Sequence, residues 1–164
     1  NEVLIQKSHR YGYDHAVRCT LDLALKHIDA EAGSIFVADR KSPLRDLVIA
    51  SAKGPSAKAI LGFRLPMGKG IVGFCSLKGI SLTVNNVRNN PNFFGEIVKG
   101  FETRSILCIA VKQGRNCLGA IELLNRKGSD GWDKSDLLIA EALSETLGEN
   151  LSKIYEMEDV EVKL

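Results

Sequence analysis

One acidic residue occupies a position where burial of its charge would cost free energy. Glu122 lies in the middle of Ala120–Leu124, a run that predicts a buried strand. A carboxylate in such a strand needs hydrogen-bond donors, which come either from the protein or from a ligand. The alternative is that one face of the strand is partly open, so that Glu122 is simply hydrated. The sequence leaves both interpretations open.

A glycine-rich segment could contact phosphate. Gly68–Gly73 has the spacing G-x-G-x-x-G, which dinucleotide-binding folds use to bring their backbone close to a pyrophosphate. Such folds need a leading strand and an acidic residue about 20 residues later. Here Arg64–Met67 precedes the motif and Asn89–Pro91 follows at that distance, so a dinucleotide site is disfavoured. A glycine turn at a helix N-terminus remains, and its free N–H groups can meet an anion.

The histidines and cysteines show no metal-binding or nucleophilic pattern. The histidines all lie in or before the first predicted helix: His9, His15 and His27. The cysteines lie in apolar stretches and form no C-x-x-C pair: Cys19, Cys75, Cys108 and Cys117. Buried cysteines without such a pair behave as small hydrophobes, and they are typical of a reducing compartment. We therefore expect no catalytic residues, no metal site and a cytoplasmic location.

Composition excludes several other classes of protein. The 164 residues are 45% hydrophobic and 26% charged, which is typical of one globular domain rather than of a disordered or fibrous chain. The 22 basic and 20 acidic residues are spread along the chain, with no basic patch for nucleic acid. No apolar run approaches the roughly 18 residues that span a bilayer. We expect neither a nucleic-acid partner nor insertion into a membrane.

Apolar periodicity predicts a long helix near each end of the chain. A stripe from Val17 to Ile28 predicts a helix over about Tyr13–Ala30, and a stripe from Leu143 to Ile154 predicts another from Asp133 to about Met157. The segment after Tyr155 has nothing left to pack against within one domain. A second copy of the chain would cover the adjoining stripe, which predicts a homodimer through the terminal helices.

Five β-type runs lie between these helices, at residues 34–39, 44–52, 80–84, 105–112 and 117–125. Short turns join the first two and the last two as hairpins. A short helix is expected from Gly70 to before Gly79, followed later by a polar loop over 85–100 with apolar anchors: Phe93, Phe94, Ile97 and Val98. This order predicts an α+β domain with an antiparallel sheet of five or six strands.

Two late segments resemble a known family. Gly100–Cys108 and Leu118–Arg126 look like the late strands of a GAF domain, most closely the regulatory GAF modules of cyclic-nucleotide phosphodiesterases and adenylyl cyclases. Ala32–Phe36 and Gly70–Gly73 fit that family in order and spacing. The resemblance implies that the N- and C-terminal helices pack on one face of the sheet and a ligand-pocket segment on the other.

The resemblance also divides the chain into three parts. Residues 13–157 are expected to form the GAF domain itself. Residues 1–12 would be an N-terminal extension that leads into the first helix. Residues 158–164 would extend toward a covalently linked output domain.

A family signature of the form N-K-x(n)-F-x3-D-E is partly present. Asn125 and Arg126 stand at the N-K pair, Trp132 at the aromatic position and Asp136 at the first acid, whereas Leu137 replaces the final acid. In the family the basic and acidic residues are thought to pair outside the pocket, across a strand–helix junction. The resemblance implies that Arg126 and Asp136 do the same, since a guanidinium can meet a carboxylate bidentately.

The resemblance further implies a ligand pocket. Ser34 matches a serine of members that bind cyclic GMP, but Ser51–Lys53 replaces their guanine-binding aromatic and acid, which removes a stacking surface. Arg88 falls near a loop position that could pair with an anion. The ligand-binding residues implied are Ser34, Ser51, Ala52, Ile71, Val72, Arg88, Phe93 and Glu122.

Three functions follow from these observations. The first is a regulatory, non-enzymatic sensor that binds a cyclic nucleotide or another small anionic metabolite and signals through its terminal helices. The second is a ligand-free GAF domain that acts as a dimerisation module. The third resembles the GAF-type free methionine sulfoxide reductases, but Cys75, Cys108 and Cys117 do not match the cysteine pattern that such chemistry needs.

Overall fold

An antiparallel sheet of six strands organises the part of the chain that the computed structural model describes, which is residues 2–93, 95–96 and 99–163. The expected anchors Phe94, Ile97 and Val98 lie outside these residues, as do Asn1 and Leu164. The strands are β1 (Ala30–Ala38), β2 (Leu47–Lys53), β3 (Arg64–Leu65), β4 (Ser81–Val84), β5 (Ile106–Gln113) and β6 (Asn116–Arg126). The helices are α1 (Glu2–His27), α2 (Ala57–Ile60), α3 (Gly70–Lys78) and α4 (Lys134–Lys163), with a 3₁₀ turn at Val87–Asn89.

The strand order is β3-β2-β1-β6-β5-β4, so β1 and β6 are the central pair. Alternate residues of these strands point to opposite faces. Ile35 and Ile121 pack toward α1 and α4, which lie side by side on one face. Phe36 and Ala120 pack toward α3 on the other face. The predicted α+β architecture, with the terminal helices on one face and the pocket segment on the other, is confirmed.

Both terminal helices are longer than the sequence predicts. Helix α1 begins at Glu2 rather than near Tyr13, because the apolar stripe marks only the part of the helix that covers the sheet, while the preceding residues contain no proline. Helix α4 continues to Lys163 instead of ending near Met157. Among the described residues, no helix combines the length and the apolar character needed to cross a bilayer.

The end of α4 contacts the turn between β1 and β2. The Arg40 guanidinium lies 4.2 Å from the centre of the Tyr155 ring and donates to Glu158 at 3.2 Å and to Asp159 at 2.9 Å. The expectation that this segment has nothing to pack against within the domain is therefore wrong. The sequence could not show it, because the contact joins residues more than a hundred positions apart.

Asn125, next to the last residue of β6, has a conformation that few residues adopt. Its φ angle is 59°, in the left-handed region that asparagine tolerates better than most side chains. The buried amide oxygen accepts from the backbone N–H groups of Arg104 (2.7 Å) and Ser105 (3.2 Å). The amide nitrogen donates to the Glu102 carbonyl and to the Glu31 carboxylate. One side chain thus holds together the ends of β1 and β6 and the segment leading into β5.

The predicted ion pair between Arg126 and Asp136 is confirmed. The Arg126 Nε donates to an Asp136 oxygen at 2.8 Å, and both side chains are largely buried, with 16% and 5% exposed. Asp136 also accepts from the Asp133 backbone N–H, and Asp133 accepts in return from that of Asp136. These bonds cap the start of α4, where negative charge is also favoured by the helix dipole. Nearby Trp132 is buried in the core between the sheet and the terminal helices.

Replacing Asp136 removes the carboxylate that accepts from the Arg126 Nε, in a guanidinium that has little access to water. We expect Asp136→Ala to lower the free energy of unfolding by about 3 kcal/mol, as measured by urea denaturation. Asp130→Ala, at an exposed acid on the same strand–helix connection, is the matched control and should change it by less than about 0.5 kcal/mol. A small effect for both variants would contradict the structural role of the pair.

Candidate functional site

A cavity lies on the sheet face opposite α1 and α4. It has a volume of about 90 Å³, well above the roughly 10–15 Å³ that one water molecule needs, and it opens to solvent at its mouth. The enclosed space is therefore smaller than the roughly 300–1,000 Å³ of sites for drug-sized ligands, and it is large enough for a small chemical group. The residues that line it are Ala32, Ser34, Phe36, Lys53, Ser56, Ala57, Ile60, Leu65, Ile71, Val72, Phe93, Gly95, Glu96, Phe101, Thr103, Ile106, Glu122 and Leu124.

The floor of the cavity is formed by alternate residues of neighbouring strands. Ser34 on β1 is the register partner of Glu122 on β6, so the two polar side chains lie next to each other on one face. The remaining floor residues are apolar: Ala32, Phe36, Ile106 and Leu124. The floor is therefore an apolar surface with one carboxyl and one hydroxyl at its centre.

Glu122 faces the cavity without a protein partner. Its side chain is half-buried, and it makes no hydrogen bond to any residue in the described part of the chain. Ser34, which is 2% exposed, likewise has no side-chain hydrogen bond within those residues. Burial raises the pKa of Glu122 from its ordinary 4.5 to about 7, because the charged form loses its hydration. The structure thus shows a carboxyl without a protein donor, and its partial exposure leaves it within reach of whatever occupies the cavity, whether ligand or water.

The other charged groups around the cavity already have partners. Lys53 forms an ion pair with Asp22 of α1. The Glu96 carboxylate accepts from the Thr103 backbone N–H at 3.3 Å. Among the described lining residues, Glu122 is thus the ionisable group whose hydrogen-bonding capacity is left for something inside the cavity.

The first turn of α3 forms another part of the wall, through Ile71 and Val72. The positive end of the α3 dipole therefore lies beside the cavity. It is the feature of the wall best suited to a negative group.

Five of the eight predicted pocket residues line the cavity: Ser34, Ile71, Val72, Phe93 and Glu122. Ser51 does not, because it pairs with Ile35, whose side chain packs toward the terminal helices. A bulge in β2 between Ser51 and Ile49 causes the local loss of alternation. Ala52 lies on the cavity side of the sheet, where it packs against the apolar cluster without reaching the cavity.

Arg88 also lies outside the cavity lining, contrary to the sequence-based expectation. Its side chain is 73% exposed, and its guanidinium donates to Glu102 at 3.1 Å. The 3₁₀ turn at Val87–Asn89 places it there, with Val87 buried and Arg88 turned to solvent. The cavity therefore lacks the cation that was expected to bind an anionic ligand.

Several lining residues were missed by the sequence analysis. The alternation of Ala32, Ser34 and Phe36 along β1 would have identified two of them, since alternate strand residues share a face. The same reasoning from Glu122 would have added Leu124. No local pattern marks Lys53 or Phe101, which come to the cavity from a strand end and from an irregular segment.

The sequence matches the family model of the GAF domain over residues 13–151. The chain therefore belongs to the GAF domain family, whose members are regulatory and sensory modules of signalling proteins. The expected membership is confirmed, while the closer resemblance to phosphodiesterase and cyclase modules stays a prediction.

Solved structures of low sequence identity share the fold. The GAF domain of a phosphoenolpyruvate-protein phosphotransferase (ptsP) from Coxiella burnetii is 15% identical, with a TM-score of 0.78 over 97% of this chain and 99% of that one. The GAF-B domain of DevS from Mycobacterium smegmatis is 10% identical, with a TM-score of 0.71 over 90% and 98%. A type II free methionine-R-sulfoxide reductase from Thermoplasma acidophilum is 13% identical, with a TM-score of 0.70 over 89% and 96%.

The raised pKa of Glu122 gives the stability of the protein a specific dependence on pH. Between pH 4.5 and about 7 the folded state keeps a proton that the unfolded chain has lost, so stability falls as pH rises. We expect this group to contribute a loss of about 3 kcal/mol across that window. Urea denaturation of wild type and Glu122→Gln at each pH isolates the contribution, because the variant keeps every other titrating group. Parallel pH profiles for the two proteins would contradict the assignment.

Proposed function

We propose that this GAF domain is a non-enzymatic sensor that binds a small molecule in the cavity above Glu122. The observation that carries the proposal is a carboxyl without hydrogen-bond donors, held at the centre of an otherwise apolar floor. Leaving such a group unpaired costs free energy, and a ligand with matching donors would recover it. The cavity and the unpaired carboxyl on its floor thus indicate the same ligand site.

The cysteines favour this sensor over a methionine sulfoxide reductase. That chemistry needs an accessible thiolate. The hydrogen bond between Cys75 and Cys108 raises the pKa of the Cys108 thiol and lowers that of Cys75, but both thiols are fully buried and so lack the access that the chemistry needs. Burial also raises the pKa of Cys117. All four cysteines are free thiols, which supports a reducing compartment such as the cytoplasm.

The structural change on ligand binding would be transmitted to a linked output domain through α4. Strand β1 supplies Ser34 and Phe36 to the cavity floor and ends near the turn that carries Arg40. Arg40 binds Tyr155 and Asp159 near the far end of α4. A ligand that shifts β1 would therefore shift the contact that positions the end of the helix, and it would bias the packing of that helix.

A ligand screen tests the sensor directly. Thermal-shift measurements with nucleotides, including cyclic GMP and cyclic AMP, and with small metabolites should reveal a stabilising compound, since 100-fold saturation adds about 2.7 kcal/mol. Cyclic nucleotides belong in the screen because the α3 N-terminus could receive their phosphate. Native mass spectrometry of freshly purified protein would detect a ligand that co-purifies.

Two variants on one helix show whether a stabilising compound sits in the cavity. Ala57→Phe places a ring at a lining position of α2, whereas Ala59→Phe places the same ring at an exposed position two residues later. We expect the first to abolish the thermal shift and the second to keep it. If no compound stabilises the protein and Ala57→Phe is at least as stable as wild type, the ligand-free dimerisation module becomes the better account.

We also propose that the domain forms a homodimer through α1 and α4. These helices cover one face of the sheet and leave apolar side chains on their outer surface, including Tyr11 at 72% and Leu23 at 43% exposure. Half-buried Leu143 and Ile154 continue this surface along α4. Two copies related by a two-fold axis would bury it in a helical bundle.

Light scattering over a dilution series measures this association. We expect wild type to change from dimer to monomer with dilution, and Leu23→Asp to be monomeric because a charge is buried in the bundle. Leu44→Asp, in the turn between β1 and β2, is the control and should behave as wild type. A wild-type protein that is monomeric at high concentration would contradict the dimer.

A further inference from the structure

The charge distribution around Glu122 restricts what the cavity can hold. The neighbouring register partners of Glu122 are Ser34 on β1 and Cys108 on β5, and Cys75 of α3 lies close enough to interact with it electrostatically. None of these groups is a cation. Lys53 at the cavity edge is paired with Asp22, and Arg88 is outside the cavity. An occupant of the floor therefore meets an acid whose charge no described neighbour compensates.

We infer that the part of the ligand that lies on the cavity floor is a flat apolar group bearing N–H donors, with an amidinium or ammonium preferred over a neutral amide and an anion rejected. This inference rests on the proposed sensor function and specifies its ligand. A carboxylate accepts from several N–H groups at once, and such bonds are strongest when the donor is charged. The Ser34 hydroxyl beside it could serve as a further partner for the same donors.

An anionic group on the floor would face repulsion in a medium of low dielectric constant. It would also leave the hydrogen-bonding capacity of Glu122 unused. A negative group elsewhere on the same ligand could still lie at the N-terminus of α3, on the wall rather than on the floor. For a ligand that carries both charges, we therefore expect the positive group to lie on the cavity floor and the negative group to lie at the wall.

The apolar lining selects the body of the ligand. Among the described residues, three aromatic rings border the cavity, from Phe36 on the floor and from Phe93 and Phe101 in the segment that follows the 3₁₀ turn. Such rings favour a planar group, which they can contact by stacking or through ring edges. The open mouth leaves room for a polar remainder of the ligand to reach water.

Three probes of one skeleton test the inference. Benzamidine carries a positive charge and N–H donors, benzamide carries donors without charge, and benzoate carries a negative charge and no donor. We expect binding by calorimetry or by NMR titration in the order benzamidine, benzamide, benzoate, with at least a tenfold difference between the first and the last. Benzamidine affinity should rise as pH increases through 7, because Glu122 then loses its proton.

Matched variants locate the effect. Glu122→Gln should weaken benzamidine at least tenfold while changing benzamide by less than threefold, because the amide oxygen still accepts a hydrogen bond. Glu102→Gln removes an exposed acid that pairs with Arg88 outside the cavity, and it should leave both affinities unchanged. Equal losses in the two variants would indicate a general charge effect and would overturn the inference.

The outcomes separate this inference from the proposed function. If benzoate binds as tightly as benzamidine, the inference is wrong and the cavity is still a ligand site. If no probe binds but another compound stabilises the protein and loses its effect in Ala57→Phe, the donor class is wrong and the sensor function stands. If no probe and no screened compound binds, both are wrong.

Discussion

The central strand β6 is covered on both faces, and this constraint fixes the place of every side chain on it. At one end Gly119 lies against β1 so closely that a Cβ atom would fall 2.1 Å from the Phe36 carbonyl oxygen, so the approach requires glycine. At the other end Asn125 turns the chain and binds four neighbouring groups. Between these points the strand cannot slip by a residue without exchanging its two faces. Glu122 is therefore held beneath the cavity by the architecture of the sheet.

Two carboxylates near this strand have opposite effects on the stability of the folded state. Asp136 is buried against Arg126 and accepts from the Asp133 backbone N–H at the start of α4, so its charge stabilises the junction. Glu122 is surrounded by apolar groups and thiols, and its charge destabilises the folded state. An apolar side chain at position 122 would not carry the cost of burying a charge. We therefore infer that the hydrogen-bond partner of Glu122 is a ligand and not a residue of the protein.

Sequence reasoning succeeded where a pattern is repeated along an element. Five of the six strands, the stripe of α1 and the pairing of Arg126 with Asp136 across one junction could all be predicted. It failed where the outcome depends on one irregular residue or on a distant partner. A bulge in β2 turned Ser51 toward the helices, and an exposed turn directed Arg88 to Glu102 instead of the cavity. The end of α4 was misjudged because Arg40, far away in the chain, binds it.

The protonation state of Glu122 is the most direct test of this account. Carbon-13 NMR of the labelled side-chain carboxyl, followed as a function of pH, reports the titration of this one group. We expect a midpoint near 7 in the free protein. We also expect a shift to clearly lower pH when benzamidine is bound, because a positive donor favours the ionised form. A midpoint near 4.5 in the free protein, unchanged by the probe, would show that Glu122 is hydrated and would contradict the account.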